Sequence, residues 1–159
     1  MYKIKIASIV LCLGMVVLFT VNVKAQSQSA APVAAENKAF LEKNKSQPGV
    51  VVLPSGLQYK IIEQGTGAKP VDSSKVSLNF TIKLINGNKV SSTYDDKQTW
   101  DHHLFHALKG WQQVLPLMPE GSKWIVYLPA ELAFGDQGSD GVPPGSTLVC
   151  ELELVKIMN

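Results

Sequence analysis

The chain has 159 residues, 45% hydrophobic and 18% charged, which is globular composition with room for one domain and little else. All 15 basic residues are lysines, so bidentate phosphate or guanine readout, which leans on the guanidinium fork, is not expected. The formal charge of +2 falls to near neutrality once Lys3, Lys5 and Lys24 are set aside with the N-terminal leader, and no electrostatic case for nucleic acid remains.

Lys3 and Lys5 precede an apolar run from Ile6 to Val21, and Val23-Lys24-Ala25 puts small or apolar residues at the cleavage positions before Gln26. Residues 1–25 therefore read as a secretory signal peptide, which implies a periplasmic or otherwise exported protein. A retained anchor is the alternative, because the run approaches bilayer length; an uncleaved anchor is the one route to a membrane that the sequence offers. Leu11 stands where a lipidated Cys12 would want a small residue. After cleavage only Cys150 remains, so the exported domain has no internal disulfide.

Gln26 to Ala35, rich in Gln, Ser and Ala, reads as a flexible tether. Glu36 to Ser46 reads as a short helix stopped by Pro48-Gly49, marginal alone because Phe40 and Leu41 are its only large apolar residues. These pieces, residues 26–53, precede a domain over 54–159. From Gly56 the period becomes two, with Leu57, Tyr59 and Ile61 on one side of a strand. Gly65-Thr66-Gly67 is a turn; the Lys-Ser/Thr pair and following helix of a phosphate loop are missing. Val76, Leu78, Phe80, Ile82 and Leu84 alternate with polar residues in an antiparallel strand with one buried face, and Asn86-Gly87 turns the chain back.

Gly110 to Met118 is expected to be the domain's only helix, with Trp111, Val114, Leu115 and Met118 on one face and Pro116 distorting its end. The last strand puts Leu148, Cys150, Leu152 and Leu154 inward and Glu151 and Glu153 outward. One short helix against a curved antiparallel sheet is an α+β arrangement.

Three ordered stretches carry more than pattern: Lys109-Gly110-Trp111-Gln112-Gln113-Val114-Leu115-Pro116-Leu117-Met118-Pro119-Glu120-Gly121, then Leu128-Pro129-Ala130-Glu131-Leu132-Ala133-Phe134-Gly135, then Val142-Pro143-Pro144-Gly145. With Pro54-Ser55-Gly56-Leu57-Gln58-Tyr59-Lys60 before them and Leu148 to Leu154 after, they resemble an FKBP-type peptidyl-prolyl isomerase domain, from about Pro54 to Ile157. The N-terminal piece is similar to the connecting region of exported proteins of the macrophage infectivity potentiator group. Their long dimerisation arm is missing, so a monomer is expected.

The resemblance implies an FKBP-like sheet wrapped around one short helix, and catalysis of prolyl bond rotation in exported proline-containing polypeptides, with no cofactor and no metal. Position by position it implies catalytic roles for Phe80, Ser91, Leu108, Trp111 and Phe134 and substrate-binding roles for Val90, His102, Ala107, Val142 and Cys150. Trp111 is the pocket floor, Leu108 supplies a backbone N–H for a substrate carbonyl, and Val142 is a wall held by the rigid Pro143-Pro144 turn.

Departures from the family pattern are many. Phe80 and Phe134 replace tyrosines, Val90-Ser91 replaces a Phe-Asp pair, and His102 and Cys150 replace aromatics. Asp96 stands where the arginine partner of the lost carboxylate would be. The pocket is therefore expected to be wider and wetter, with reduced activity; a non-catalytic binding module or holdase chaperone is the alternative.

His102, His103 and His106 invite a metal reading, but no cysteine or well-spaced carboxylate completes a site, and polar structural histidines are expected. The inward phase of Cys150 predicts an inert thiol, and no base can be assigned to Ser91 as a nucleophile. Asp95-Asp96 and Glu151/Glu153 read as solvated faces.

Overall fold

The computed structural model describes residues 30–158. The leader expected over residues 1–25, with Cys12, and the first residues of the tether lie outside them.

Helix α1 spans Ala30–Asn44, so it takes in residues read as tether and ends two residues short of Ser46. Two causes account for the difference. Alanines 30, 31, 34 and 35 are strong helix formers, and the helix is docked through polar contacts that no hydrophobic period reveals. Asn37 and Asn44 are buried, Asn44 Nδ2 donates to Gln58 Oε1 at 2.9 Å and Gln58 Nε2 donates to the Leu41 carbonyl at 2.9 Å. Phe40 lies 6.1 Å from Tyr127, ring to ring.

Seven antiparallel strands follow: β1 Val50–Val52, β2 Gln58–Glu63, β3 Lys75–Leu84, β4 Lys89–Ser92, β5 Trp100–His103, β6 Lys123–Leu128 and β7 Leu148–Met158. Their order in the sheet is β1-β2-β6-β7-β3-β4, with β5 also paired to β3. β1 lies ahead of the expected boundary at Pro54 and pairs with β2, Val51 opposite Tyr59, so the sheet begins before the family-like segment. In β2 it is Gln58 that is buried, at 3% exposure, while Ile61 is 43% exposed. The buried position goes to the polar residue because α1 supplies its hydrogen-bond partners.

Two further helices accompany α1. α2 is a single turn, Thr93–Asp96, and α3 covers Lys109–Val114. The helix expected over Gly110 to Met118 is thus neither alone nor uniform: beyond Val114 it tightens into a 3-10 turn, Leu115–Leu117. Pro116 lacks the N–H that a further α-turn requires. Trp111, Val114, Leu115 and Met118 are all buried as their spacing requires. They pack against the inward residues of β3, β6 and β7, among them Leu78, Val126, Leu152 and Leu154, each fully buried.

Candidate functional site

Trp111 owes its position to its neighbour Gly110. A Cβ built at Gly110 would lie 2.6 Å from Leu128 Cδ2 and 2.8 Å from Leu128 Cγ, well inside ordinary carbon contact. Only glycine lets α3 seat this closely on β6. The indole of Trp111 is then 3% exposed, with the Phe80 ring edge-on at 5.0 Å and the Trp100 indole perpendicular at 6.1 Å. Both arrangements suit the aromatic quadrupole.

Phe80 is fixed through its backbone by α2. β4 pairs with β3 from Thr81 to Lys83 and β5 from Lys75 to Leu78, which leaves Asn79 and Phe80 between them. Thr93 fills that gap. Its Oγ1 accepts from the Phe80 N–H at 2.8 Å and donates to the Phe80 carbonyl at 3.3 Å.

Cys150 reaches the cluster from β7, opposite Ile82 on one side and Val126 on the other. Burial pushes its thiol up to about 12, offset only in part by the Trp111 indole N–H. That N–H has no partner of hydrogen-bond geometry, so its contact with the thiol is loose. A neutral thiol is a small apolar filler.

Val90 occupies a β-bulge: Lys83 pairs with Lys89 and Ile82 with Ser91, leaving Val90 as the extra residue. Ser91 is exposed and shares an open concavity of about 600 Å³ with Phe80, Thr93, Asp96, Gln98, Thr99 and Trp100. Opposite this wall stands the loop carrying Phe134 and Val142. Ser139 and Val142 exchange backbone hydrogen bonds at 2.9 Å, and the Gly145 N–H closes the loop's base on the Gly135 carbonyl at 3.0 Å. Gly141 bears on the bulge, where a Cβ would lie 3.9 Å from Val90 Cγ1.

Ala107 and Leu108 lead into α3. Leu108 is its N-cap residue (φ −54°, ψ 146°), and its backbone N–H finds no acceptor among the described residues. Gln112 Nε2 donates to the carbonyls of Ala107 and Phe105 at 2.9 and 3.2 Å, bracing this lead-in.

The structure thus draws Phe80, Trp111 and Cys150 together, with Val90, Leu108 and Phe134 packed against the same core. His102 stands apart: it is exposed at the rim, its ring tilted against Trp100 at 4.5 Å. Trp100, which the sequence reading passed over, meets the floor instead. The signal that could have found it is its period-two phase with His102 on β5.

Trp100 adds a third ring beside Phe80 and Trp111. With Trp111 at 3%, Phe80 at 8% and Cys150 at 0% exposure, the floor is buried. The remaining imidazoles flank Phe105, His103 stacked at 5.2 Å and His106 tilted at 4.3 Å.

A family model described as FKBP-type peptidyl-prolyl cis-trans isomerase matches residues 66–155, and a second, described as the domain amino terminal to it, matches residues 15–61. Over 129 residues the chain is 45% identical to the outer membrane protein MIP of Legionella longbeachae, covering 78% of this chain and 55% of that protein. It is 40% identical to the FKBP-type 22 kDa peptidyl-prolyl cis-trans isomerase of Escherichia coli, covering 79% and 62%. It therefore spans little more than half the length of such relatives. Among solved structures, FkpA from Escherichia coli superposes with a TM-score of 0.78 at 34% identity, over 80% of this chain and 60% of that one. A peptidyl-prolyl cis-trans isomerase from Pseudomonas syringae gives 0.76 at 27% identity, over 82% and 97%.

Proposed function

The chain belongs to the FKBP-type peptidyl-prolyl cis-trans isomerase family, and we propose that it catalyses prolyl bond rotation in exported proline-containing polypeptides. The observation that carries this reading is the ring cluster of Phe80, Trp111 and Trp100, buried at Phe80 and Trp111, beside the unpartnered Leu108 N–H.

No bond is made or broken in this chemistry. The peptide bond must rotate through a state without amide resonance, against a barrier of roughly 18 to 20 kcal/mol for peptide bonds generally. A twisted imide is less dipolar than a planar one, so apolar walls disfavour the planar ground state more. Leu108 N–H holds one substrate carbonyl while the proline ring packs on Trp111 between Phe80, Val142 and Phe134. Acceleration comes from preferential binding of the twisted form. No general acid or base is needed, which accords with Ser91 having no base partner and Cys150 being held neutral.

Action in the bacterial envelope is supported by the leader-like residues 1–25 and by a relative named as an outer membrane protein. No helix among the described residues is long and apolar enough to cross a membrane. Exchange NMR on a panel of X-Pro peptides tests the activity. Rates raised by the wild-type chain and not by Trp111→Leu support it, and unchanged rates across the panel refute it.

The second reading, a non-catalytic binding module, draws on the polar groups the site lacks: Ser91 brings no carboxylate, and Phe80 and Phe134 bring no hydroxyl. Suppressed aggregation of an unfolded test protein without any rate effect on peptides would favour it.

A further inference from the structure

We propose that α1 is a strut for the prolyl site and that Asn37 is its positioning residue; this rests on the function proposed above. The loop with two of the site's walls, Phe134 and Val142, is closed at its base by the Gly145-to-Gly135 hydrogen bond. α1 grips that base at two points. Asn37 Oδ1 accepts from the Thr147 N–H at 2.7 Å, a buried bond across 110 residues of sequence. One turn earlier Ala34 abuts Gly145, where a Cβ would come within 3.1 Å of Ala34 Cβ.

Nothing about this Asn is needed for helix formation alone. Asparagine is a poor helix former, yet Asn37 is 5% exposed, and its Nδ2 donates to the Val33 carbonyl at 2.7 Å, which fixes the oxygen toward Thr147. Thr147 is itself 1% exposed and adjoins Leu148, the first residue of β7. Removing the acceptor leaves this nearly buried amide without its partner. Freed from Asn37, the chain at 145–147 can shift at the loop's base, and Val142 and Phe134 move with it. The prolyl site thereby depends on residues of a helix that contributes no wall to it.

Asn44 supplies the control. It is buried on the same helix two turns later, and its side chain bonds Gln58 rather than the loop. Asn37→Ala and Asn44→Ala each delete a buried hydrogen bond that ties α1 to the rest of the domain, and only the first is made to the loop's base. In the full chain, at a temperature where both variants are folded, Asn37→Ala is expected to lower kcat/KM by about two- to tenfold, the worth of one hydrogen bond. Asn44→Ala is expected to stay near wild type at a similar loss of melting temperature.

Amide hydrogen exchange supplies a readout that needs no activity. Exchange at Ser139, Val142 and Gly145 should quicken about two- to tenfold in Asn37→Ala and not in Asn44→Ala. Equal effects of the two variants on kcat/KM, or unchanged exchange in the loop of Asn37→Ala, would overturn the proposal. A wild-type chain without isomerase activity would sink the functional reading, and the exchange comparison would still decide whether the strut exists.

Discussion

Gly110→Ala sets two forces against each other, and the geometry decides between them. In a helix interior the change is worth roughly 1 kcal/mol in favour of alanine. The added Cβ, however, meets Leu128 Cδ2 at 2.6 Å, Leu128 Cγ at 2.8 Å and Leu132 Cβ at 3.4 Å. Leu128 is 0% exposed and sits in β6 between β2 and β7, so it has no room to swing aside. Reaching normal carbon contact of about 3.5 Å or more requires α3 to withdraw by the order of 1 Å.

Overpacking of this kind costs roughly 1 to 3 kcal/mol, which exceeds the propensity gain and leaves a net destabilisation on the order of 1 kcal/mol. Activity should suffer more than stability. Trp111 rides on the displaced turn, and a misplacement of about 1 Å can cost up to about a hundredfold in rate. Urea melts paired with X-Pro exchange kinetics on the same sample measure both. A variant more stable than wild type with full isomerase activity would refute the reasoning, because α3 would then not be seated on β6 as described.

Other consequences concern the departures from the family pattern and the titrating groups. Val90→Phe/Ser91→Asp, which restores the family's usual pair at the bulge, should raise kcat/KM on X-Pro peptides by about two- to tenfold; peptide exchange rates check this. In a Cys12→Ser chain, where Cys150 is the sole thiol, Ellman's reagent at pH 8 should label nothing until the protein unfolds, since burial holds the thiol near 12.

Glu153 accepts from Tyr94 Oη at 2.7 Å and from Asn79 Nδ2 at 3.1 Å, and the Tyr94 bond is the main reason its carboxyl lies below the ordinary carboxylate value. A depressed folded-state pKa contributes stability above the unfolded pKa, near 4.5, that is lost as pH falls through the folded one. Glu153→Gln should therefore be less stable than wild type at pH 7, with the gap narrowing as pH falls below 4.5 in parallel urea melts.

The two longest strands were legible because each has one face toward the core. Val76 to Leu84 and Leu148 to Leu154 alternate, and their inward residues are buried as the alternation requires, save Leu84, which is half-buried. Lys123–Leu128 carries no such signal. Trp124, Val126 and Leu128 face the core, while Tyr127 on the other face is covered by Phe40 of α1, so apolar residues run unbroken. The first turns of α1 and its docking were hidden for the converse reason, the docking resting on Asn37 and Asn44.

At the site, Trp111 and Cys150 were readable from helical spacing, strand phase and family resemblance. Trp100 left only its period-two phase with His102, because its contact with Trp111 depends on β5 returning alongside β3, with Leu78 opposite Trp100. The coupling of Asn37 to Thr147 spans 110 residues and leaves no local trace in either segment.

The most direct test of the central claim is the exchange rate of X-Pro peptides with wild-type chain, Trp111→Leu and Trp100→Ala measured side by side. Acceleration by wild type that is lost in Trp111→Leu and weakened in Trp100→Ala is the predicted result. No acceleration by wild type, or equal acceleration by all three chains, would contradict the assignment of this ring cluster as a prolyl site.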